Sequence, residues 1–218
     1  RDDNGTDLSV IRDLFCDPEY QKVVFHDARI PSNEVNWLYN IADVTALISS
    51  NEGWGLSLTE SMMAGKMIIA NVTGGMQDQM RFEDEDGNWI DFDENFCSNH
   101  FGTYKKHGEW AVPVFPTNMS IVGSIPTPYI FDDRCDFRDV AKAIEEVYNL
   151  DSDERVKKGN AGREWALSEE AKMSAVKMCE NVLECIDNTL ETFTPRKSFE
   201  LIKINKLPRQ KIVHKLTY

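Results

Sequence analysis

The stretch that decides the fold is residues 51 to 66, with the sequence NEGWGLSLTESMMAGK. The apolar run before it, at residues 44 to 48, is typical of a buried strand, and the run after it, at residues 67 to 70, predicts a second strand. Residues 56 to 64 have the spacing of a helix that Gly65 ends. The sequence therefore predicts a strand, a turn, a helix and a further strand.

The predicted turn lies at the carboxyl end of a strand, which is the edge where open α/β sheets bind ligands. Gly53 and Gly55 allow a close approach of the backbone to a diphosphate, and the first helical amides point toward such an anion. Glu52 precedes the helix and Glu60 lies within it, so the two carboxylates bracket one ligand and accept hydrogen bonds from vicinal hydroxyls. Taken singly, each has a simpler interpretation: Glu60 as a solvated helix residue, and Glu52 as an acidic group favoured by the helix dipole.

The runs around this turn resemble the donor-binding half of retaining GT-B glycosyltransferases, the group with two glutamates separated by seven residues. The likeness is close over roughly residues 20 to 90 and loose over the helices from 136 to 193. The runs that carry it are LYNIAD at residues 38 to 43, SSNEGWGL at 49 to 56, ESMMAGKMIIA at 60 to 70 and the glycine pair at 74 and 75.

The resemblance implies a role for each acidic residue and for the turn. Glu52 would contact the donor sugar as the catalytic residue, and Glu60 would contact the ribose of the nucleotide. The backbone amides of the turn would hold the distal phosphate. Independently of the resemblance, the link over residues 29 to 31 follows the carboxyl end of a predicted strand, so it either faces the nucleobase or is an ordinary loop. The donor-binding residues predicted, besides the two glutamates, are Gly53, Trp54, Gly55, Leu56, Ser57, Arg29 and Ile30.

The rest of the chain alternates as a parallel sheet requires. We predict a strand at residues 23 to 26, a helix capped by Ser32 or Asn33, a short helix over residues 75 to 81 and a short strand near Ile90. The fold class predicted is α/β, with a Rossmann-like parallel sheet, flanking helices and additional C-terminal helices. The resemblance implies that this domain is the C-terminal half of a GT-B fold.

Residues 92 to 133 break this alternation, since they are rich in aromatic residues, proline and glycine and have no helical period. We expect an irregular insertion near the donor or acceptor cleft. An alternative interpretation is a zinc site, although the spacing matches no standard zinc motif and scattered positions are favoured. The residues in question are Cys97, His100, His107 and Cys135.

Three C-terminal helices follow. Asp136 is predicted to cap the first, and the second covers residues 151 to 167 with interruptions at Gly159 and Gly162. Ser168 is predicted to open the third, which ends before Pro195. The predicted organisation is a nucleotide-sugar-binding domain over residues 1 to 194 and a basic tail over residues 195 to 218.

The formal net charge is −13, yet the tail carries seven Lys or Arg residues and one Glu. An acidic body is a poor partner for nucleic acid or an anionic membrane, so contact through the tail is a possibility that we do not favour. Few cations are available for a diphosphate. Arg29 and Lys66 are the nearest in sequence, and Lys66 lies at the wrong end of its helix. Five unpaired cysteines and the lack of a long apolar run favour the cytoplasm.

We therefore expect a retaining, metal-independent transfer of a sugar from a nucleotide-diphosphate donor to an unknown acceptor. The first strand of the donor half is not recognised in the chain, so an N-terminal acceptor domain is expected upstream. One alternative is a GT-B relative that catalyses epimerisation, and another is an interaction domain without activity. A third is a transferase acting on a nucleic-acid base, anchored by the basic tail.

Overall fold

Three parallel strands form the main sheet of the computed structural model, which describes residues 7–26, 28–123 and 129–195. The strand order is β1-β2-β3, so β2 is central and both of its neighbours are edge strands. All five residues of β2 are buried, as expected for a strand covered on both faces. The strands are β1 Val44–Leu47, β2 Met67–Asn71 and β3 Ala111–Val114.

Helices cover both faces of the sheet. One core cluster joins Ile68 and Ala70 of β2 to the helices α3 and α5. A second cluster joins Met67 and Ile69 of β2 to α4. The alternation of β2 residues between two apolar clusters therefore produces a three-layer α/β arrangement. The helices of this part of the chain are α1 Leu8–Phe15, α2 Ser32–Ile41, α3 Leu56–Met63, α4 Phe137–Asn149 and α5 Ser152–Leu167.

Gly65 ends α3, as predicted. Its φ is +70°, its N–H donates to the carbonyl of Met62 at 2.8 Å, and the next N–H, that of Lys66, donates to the carbonyl of Ser61 at 3.0 Å. This pair of bonds is a Schellman motif, which leads the chain directly into β2. Gly65 also contacts α5, because a Cβ added to Gly159 would overlap the carbonyl oxygen of Gly65.

We expect Gly159→Ala to lower the free energy of unfolding by about 1 to 3 kcal/mol, because the added methyl group forces α5 away from the backbone of Gly65. The sign of this change is informative, because replacing glycine with alanine at a helical position without close neighbours raises the free energy of unfolding by about 1 kcal/mol. Chemical denaturation followed by circular dichroism measures the change. Glu164→Ala on an exposed position of α5 is the control, and a Gly159→Ala protein as stable as this control would contradict the close packing.

The strand β3 lies inside the segment predicted to be irregular, and that prediction is wrong at this point. The N–H groups of Ile68 and Val72 donate to the carbonyls of Trp110 and Val114. Because the backbone groups of successive strand residues face opposite sides, the backbone N and O of Pro113 face outward, away from β2. A proline at this position costs no hydrogen bond of the ladder. It did hide the strand in the sequence, because proline within a short apolar run argues against a strand.

A two-stranded antiparallel sheet also lies in this segment and directly after it. It consists of β4 Asn118–Val122 and β5 Ile130–Arg134. Its base is joined to the loop after β1, since the N–H of Asp133 donates to the carbonyl of Ser50 at 3.1 Å. The pair of strands therefore begins beside the carboxyl edge of the main sheet.

Several local predictions are wrong. Residues 23 to 26 form no strand, because they are exposed and pair with no other described strand. Pro31 precedes α2 and Ser32 is already its first residue, so neither Ser32 nor Asn33 is a cap. Ile90 belongs to a local turn, where its N–H donates to the carbonyl of Phe82 at 2.8 Å. The predicted helix over residues 75 to 81 consists of two short 3₁₀ helices, Gly74–Met76 and Asp78–Met80.

At the C-terminal end, Asp136 caps α4 as predicted, by accepting a hydrogen bond from the N–H of Arg138 at 2.8 Å. The helix α5 continues through both of its glycines without interruption. Ser168 ends α5 instead of opening the next helix, and α6, Ala175–Thr192, begins after its cap Ser174. The backbone contacts divide the chain into two compact units, Arg1–Met173 and Ser174–Tyr218, and α6 belongs to the second.

Within the described ranges, no helix combines the length and the apolarity that a membrane crossing needs. Residues 196 to 218, which hold the basic side chains of the predicted tail, lie outside the described residues.

Candidate functional site

The turn between β1 and α3 lies at the carboxyl edge of the sheet, as predicted. Gly55 is the N-cap residue of α3, and its φ of +83° lies in a region that favours glycine. Because glycine has no side chain, no side-chain oxygen caps the first N–H groups of the helix. The turn residues differ in exposure, because Gly53 and Leu56 are exposed, Trp54 is half-buried and Gly55 is buried. The first amides of α3 are therefore available at an accessible edge of the sheet.

The glycine pair after β2 packs against this turn. The N–H of Gly75 donates to the carbonyl of Glu52 at 3.1 Å. A Cβ on Gly75 would overlap the carbonyl oxygen of Gly53 and lie 2.9 Å from the Cα of Trp54, and a Cβ on Gly74 would overlap the carbonyl of Glu52. Glycine is required at both positions because the two backbones are in direct contact.

Gln79 contacts the next two carbonyls of the turn. Its Nε2 donates to the carbonyl of Trp54 at 2.5 Å and to that of Gly55 at 3.3 Å. The carbonyls of residues 52 to 55 are thus all turned toward the segment from 74 to 79. A trans peptide unit points its N–H opposite to its C=O, so the amides of residues 53 to 56 face away from that segment.

These amides have no acceptor in the described part of the chain, and neither does the amide of Ser57. They include the first N–H groups of α3, whose dipole adds a partial positive charge at the same place. Successive backbone amides that point in one direction form an anion-binding concavity. The turn is chemically suited to a phosphate group.

Each of the two predicted carboxylates is held by one hydroxyl. Ser49 Oγ donates to Glu52 Oε1 at 3.1 Å, and Tyr39 Oη donates to Glu60 Oε2 at 2.7 Å. Burial, followed by the hydrogen bond to Glu60, raises the pKa of Tyr39 above its ordinary value of 10.0, so the phenol stays protonated and continues to donate. Among the described residues, neither Glu52 Oε2 nor Glu60 Oε1 has a hydrogen-bond partner. Each carboxylate keeps one oxygen for a ligand.

Of the two cations nearest to the turn in sequence, Lys66 is not at the turn. Lys66 Nζ donates to the carbonyl of Asn40 at 2.9 Å, which places this ammonium group at the C-terminal end of α2 and confirms that it lies away from the start of α3. Arg29 is exposed and Ile30 is half-buried. No contact among the described residues joins Arg29 or Ile30 to the turn, so their role stays a prediction.

Sequence reasoning did not identify the residues that support the turn. Asn71 at the end of β2 is buried, and its Nδ2 donates to the carbonyl of Ser49 at 2.9 Å and to that of Asp133 at 3.2 Å. Gln79 also contacts the turn from a distant part of the sequence, and Tyr39 contacts Glu60 within α3. The one signal in the sequence is a polar residue, Asn71, directly after an apolar run, and it does not indicate which groups the side chain contacts.

Asp78, which follows the glycine pair, also has a strongly changed acidity. It begins the second 3₁₀ helix, and burial, followed by the charge of Asp91, raises its pKa from 3.8 to about 6. The folded protein therefore binds more protons at Asp78 than the unfolded protein does between about pH 4 and 6. Over this range the contribution of Asp78 to the free energy of unfolding falls as the pH rises.

We expect Asp78→Asn to raise the free energy of unfolding at pH 7.5 by about 1 kcal/mol, a value reduced from the full linkage because Asp78 is only half-buried. The gain should shrink as the pH is lowered from 6 to 4. Denaturant unfolding at several pH values, with the variant compared to the unchanged protein, measures it. Asp91→Asn should produce a smaller change of the same sign. A difference that does not vary with pH would contradict the raised pKa.

Two of the four alternative zinc ligands contact a backbone carbonyl instead. His107 Nδ1 lies 2.9 Å from the carbonyl of Gly108, and Cys135 Sγ lies 3.9 Å from that of Val114. In residues 7–26, 28–123 and 129–195, no three His, Cys, Asp or Glu side chains are grouped as metal ligands.

Comparison with known proteins gives one result. The family model described as glycosyl transferases group 1 matches residues 4–95, which include α1, the turn, both glutamates and the glycine pair. No curated protein and no solved structure matches the chain.

Proposed function

Because residues 4–95 are a domain of the glycosyl transferases group 1 family, the retaining GT-B type, we propose that the turn before α3 binds the diphosphate of a nucleotide-sugar donor. The observation that carries this proposal is the common direction of the carbonyls of residues 52 to 55. It leaves the opposing amides free for an anion. A helix N-terminus of this kind stabilises a negative charge by about 0.3 to 1 kcal/mol through the dipole alone.

In this proposal the two glutamates hold the groups on either side of the diphosphate. Glu60 Oε1 accepts hydrogen bonds from the ribose hydroxyls, while Tyr39 fixes the other oxygen. Glu52 Oε2 accepts hydrogen bonds from the donor sugar, while Ser49 fixes the other oxygen. A carboxylate held by a neighbouring hydroxyl loses less side-chain freedom on binding, which favours affinity.

The amides also support transfer of the sugar. Negative charge develops on the diphosphate as the bond to the sugar breaks, so amides that already point at the phosphate stabilise the transition state more than the bound donor. Gly53, Trp54, Gly55, Leu56 and Ser57 supply these amides. Arg29 and Ile30 are proposed to lie near the nucleobase. The acceptor and the donor sugar are left for experiment.

Calorimetric titration of the protein with UDP-, GDP- and ADP-sugars, and with the corresponding nucleoside diphosphates, tests the proposal. We expect one base to be preferred and the sugar-free diphosphate to compete for the same site. Binding should not require a divalent metal ion. A folded protein that binds no member of this panel would contradict the proposed function.

We expect Glu52→Ala to lower the affinity for the sugar-bearing donor by about tenfold or more, because a hydrogen bond to a charged group contributes about 1.5 to 3 kcal/mol. Affinity for the sugar-free diphosphate should change much less, since Glu52 is assigned to the sugar. Titration of the same variant with both compounds measures the difference. Equal losses for the two ligands would show that Glu52 acts elsewhere.

A further inference from the structure

Gln79 lies directly beneath the turn, and its side chain is completely buried. Its Nε2 contacts the carbonyls of Trp54 and Gly55, and its Oε1 accepts a hydrogen bond from Thr59 Oγ1 at 2.8 Å. The hydroxyl of Thr59 in turn accepts from the indole Nε1 of Trp54 at 2.8 Å. The Thr59 proton is therefore directed to Oε1, which leaves both hydrogens of Nε2 for the two carbonyls.

We propose that Gln79 is a positioning residue for the distal phosphate of the donor, acting through the peptide units that follow Trp54 and Gly55. This inference rests on the proposed function, since it assumes that the amides of the turn hold that phosphate. Gln79 itself does not touch the ligand. It fixes the direction of two carbonyls, and the planarity of each peptide then fixes the direction of the amides of Gly55 and Leu56.

The backbone at this place needs such a constraint. Gly55 has a φ of +83°, and glycine has access to more backbone conformations than any other residue. Rotation of the peptide between Trp54 and Gly55 would turn an amide away from the phosphate and a carbonyl toward it. A carbonyl in that position repels an anion, so donor affinity depends on which way the peptide is held.

Gln79 is itself held on its other side. Its backbone carbonyl accepts from the indole Nε1 of Trp110 at 3.0 Å, and Trp110 is a member of the core cluster beside β3. The neighbouring Gln77 is also buried, but its Nε2 donates to the carbonyl of Gly74 at 3.1 Å, so it supports the glycine pair beside the turn. Asn99 is equally buried and serves a different segment, because its Nδ2 donates to the carbonyl of Tyr104 at 2.9 Å and its Oδ1 accepts from the N–H of the same residue. Its replacement with aspartate therefore provides a matched control.

The experiment uses Gln79→Glu, which has the same shape but replaces the donating amide group with a carboxylate oxygen. The nucleoside monophosphate and diphosphate of the preferred base are titrated into the unchanged protein and into the variant. We expect the affinity for the diphosphate to fall by about ten- to a hundredfold, and that for the monophosphate by less than about threefold. Asn99→Asp makes the same kind of replacement away from the turn and should leave the ratio of the two affinities unchanged.

Thr59→Val and Thr59→Ser give a second, milder test that keeps the Gln79 side chain itself in place. The valine removes the hydroxyl that orients Oε1, so the ratio should fall about three- to tenfold, and the serine should restore it. This pair decides the question if circular dichroism shows that Gln79→Glu does not fold.

Each outcome separates this role from the proposed function. A diphosphate preference that survives in both Gln79→Glu and Thr59→Val, or equal losses for the two ligands, would overturn the role of Gln79. An unchanged protein that binds the diphosphate no better than the monophosphate would contradict the proposed function itself.

Discussion

Replacement of Glu60 with alanine is expected to weaken binding of the nucleoside diphosphate by on the order of a hundredfold. The free oxygen of Glu60 is assigned to the ribose hydroxyls, and each hydrogen bond to a charged group contributes about 1.5 to 3 kcal/mol, where 1.4 kcal/mol corresponds to a factor of ten. Calorimetric titration of the variant with the diphosphate of the preferred base measures this loss.

A ligand change provides the control for Glu60. The 2′-deoxy form of the same diphosphate lacks one of the hydroxyls, so it should bind the unchanged protein more weakly than the ribose form does. In Glu60→Ala the ribose and deoxyribose forms should bind with the same affinity, because the carboxylate that accepts hydrogen bonds from the ribose hydroxyls is absent. A variant that still prefers the ribose form would place the ribose at another residue.

Replacement of Gly75 with alanine is expected to remove most donor binding and to lower the free energy of unfolding by about 2 to 3 kcal/mol. The new Cβ would overlap the carbonyl of Gly53 and displace the backbone of Trp54. The bond from the N–H of Gly75 to the carbonyl of Glu52 would also be strained. Titration with the nucleoside diphosphate and chemical denaturation measure the two effects.

Gly53→Ala is the matched control, because a Cβ at Gly53 meets no atom within 4 Å. Its free energy of unfolding should stay within about 0.5 kcal/mol of the unchanged protein. Donor binding by Gly75→Ala at the unchanged affinity would show that the contact between the two backbones does not shape the site.

The central part of the fold was predictable because its signals are local. The strand before Glu52, the helix α3 and its end at Gly65 all depend on residues within a few positions of one another, and the structure has each of them. The strand β3 was not predictable in this way. Pro113 interrupts its apolar run, and only the outward position of that residue in the folded sheet makes it acceptable.

In the candidate site, too, the features with local signals were predictable and those that depend on long-range contacts were not. The spacing of Glu52 and Glu60 around the turn is visible in the sequence. Their supporting residues are not, since Tyr39 is 21 positions from Glu60 and Gln79 is 25 positions from Trp54. Contacts over such separations leave no periodic pattern in the sequence, yet these contacts decide in which direction a peptide unit faces. The sequence thus indicates which residues are candidates for contact with a ligand, but not what orients them.

The proline of β3 has a consequence for how the main sheet can grow. At Pro113 the outer margin of β3 offers no N–H, so a further chain laid along that margin would lack a donor where it needs one. The opposite margin, along Val44–Leu47, has no proline. We therefore expect a strand that extends this sheet, from the same protein or from a partner, to join beside Val44–Leu47 rather than beside β3.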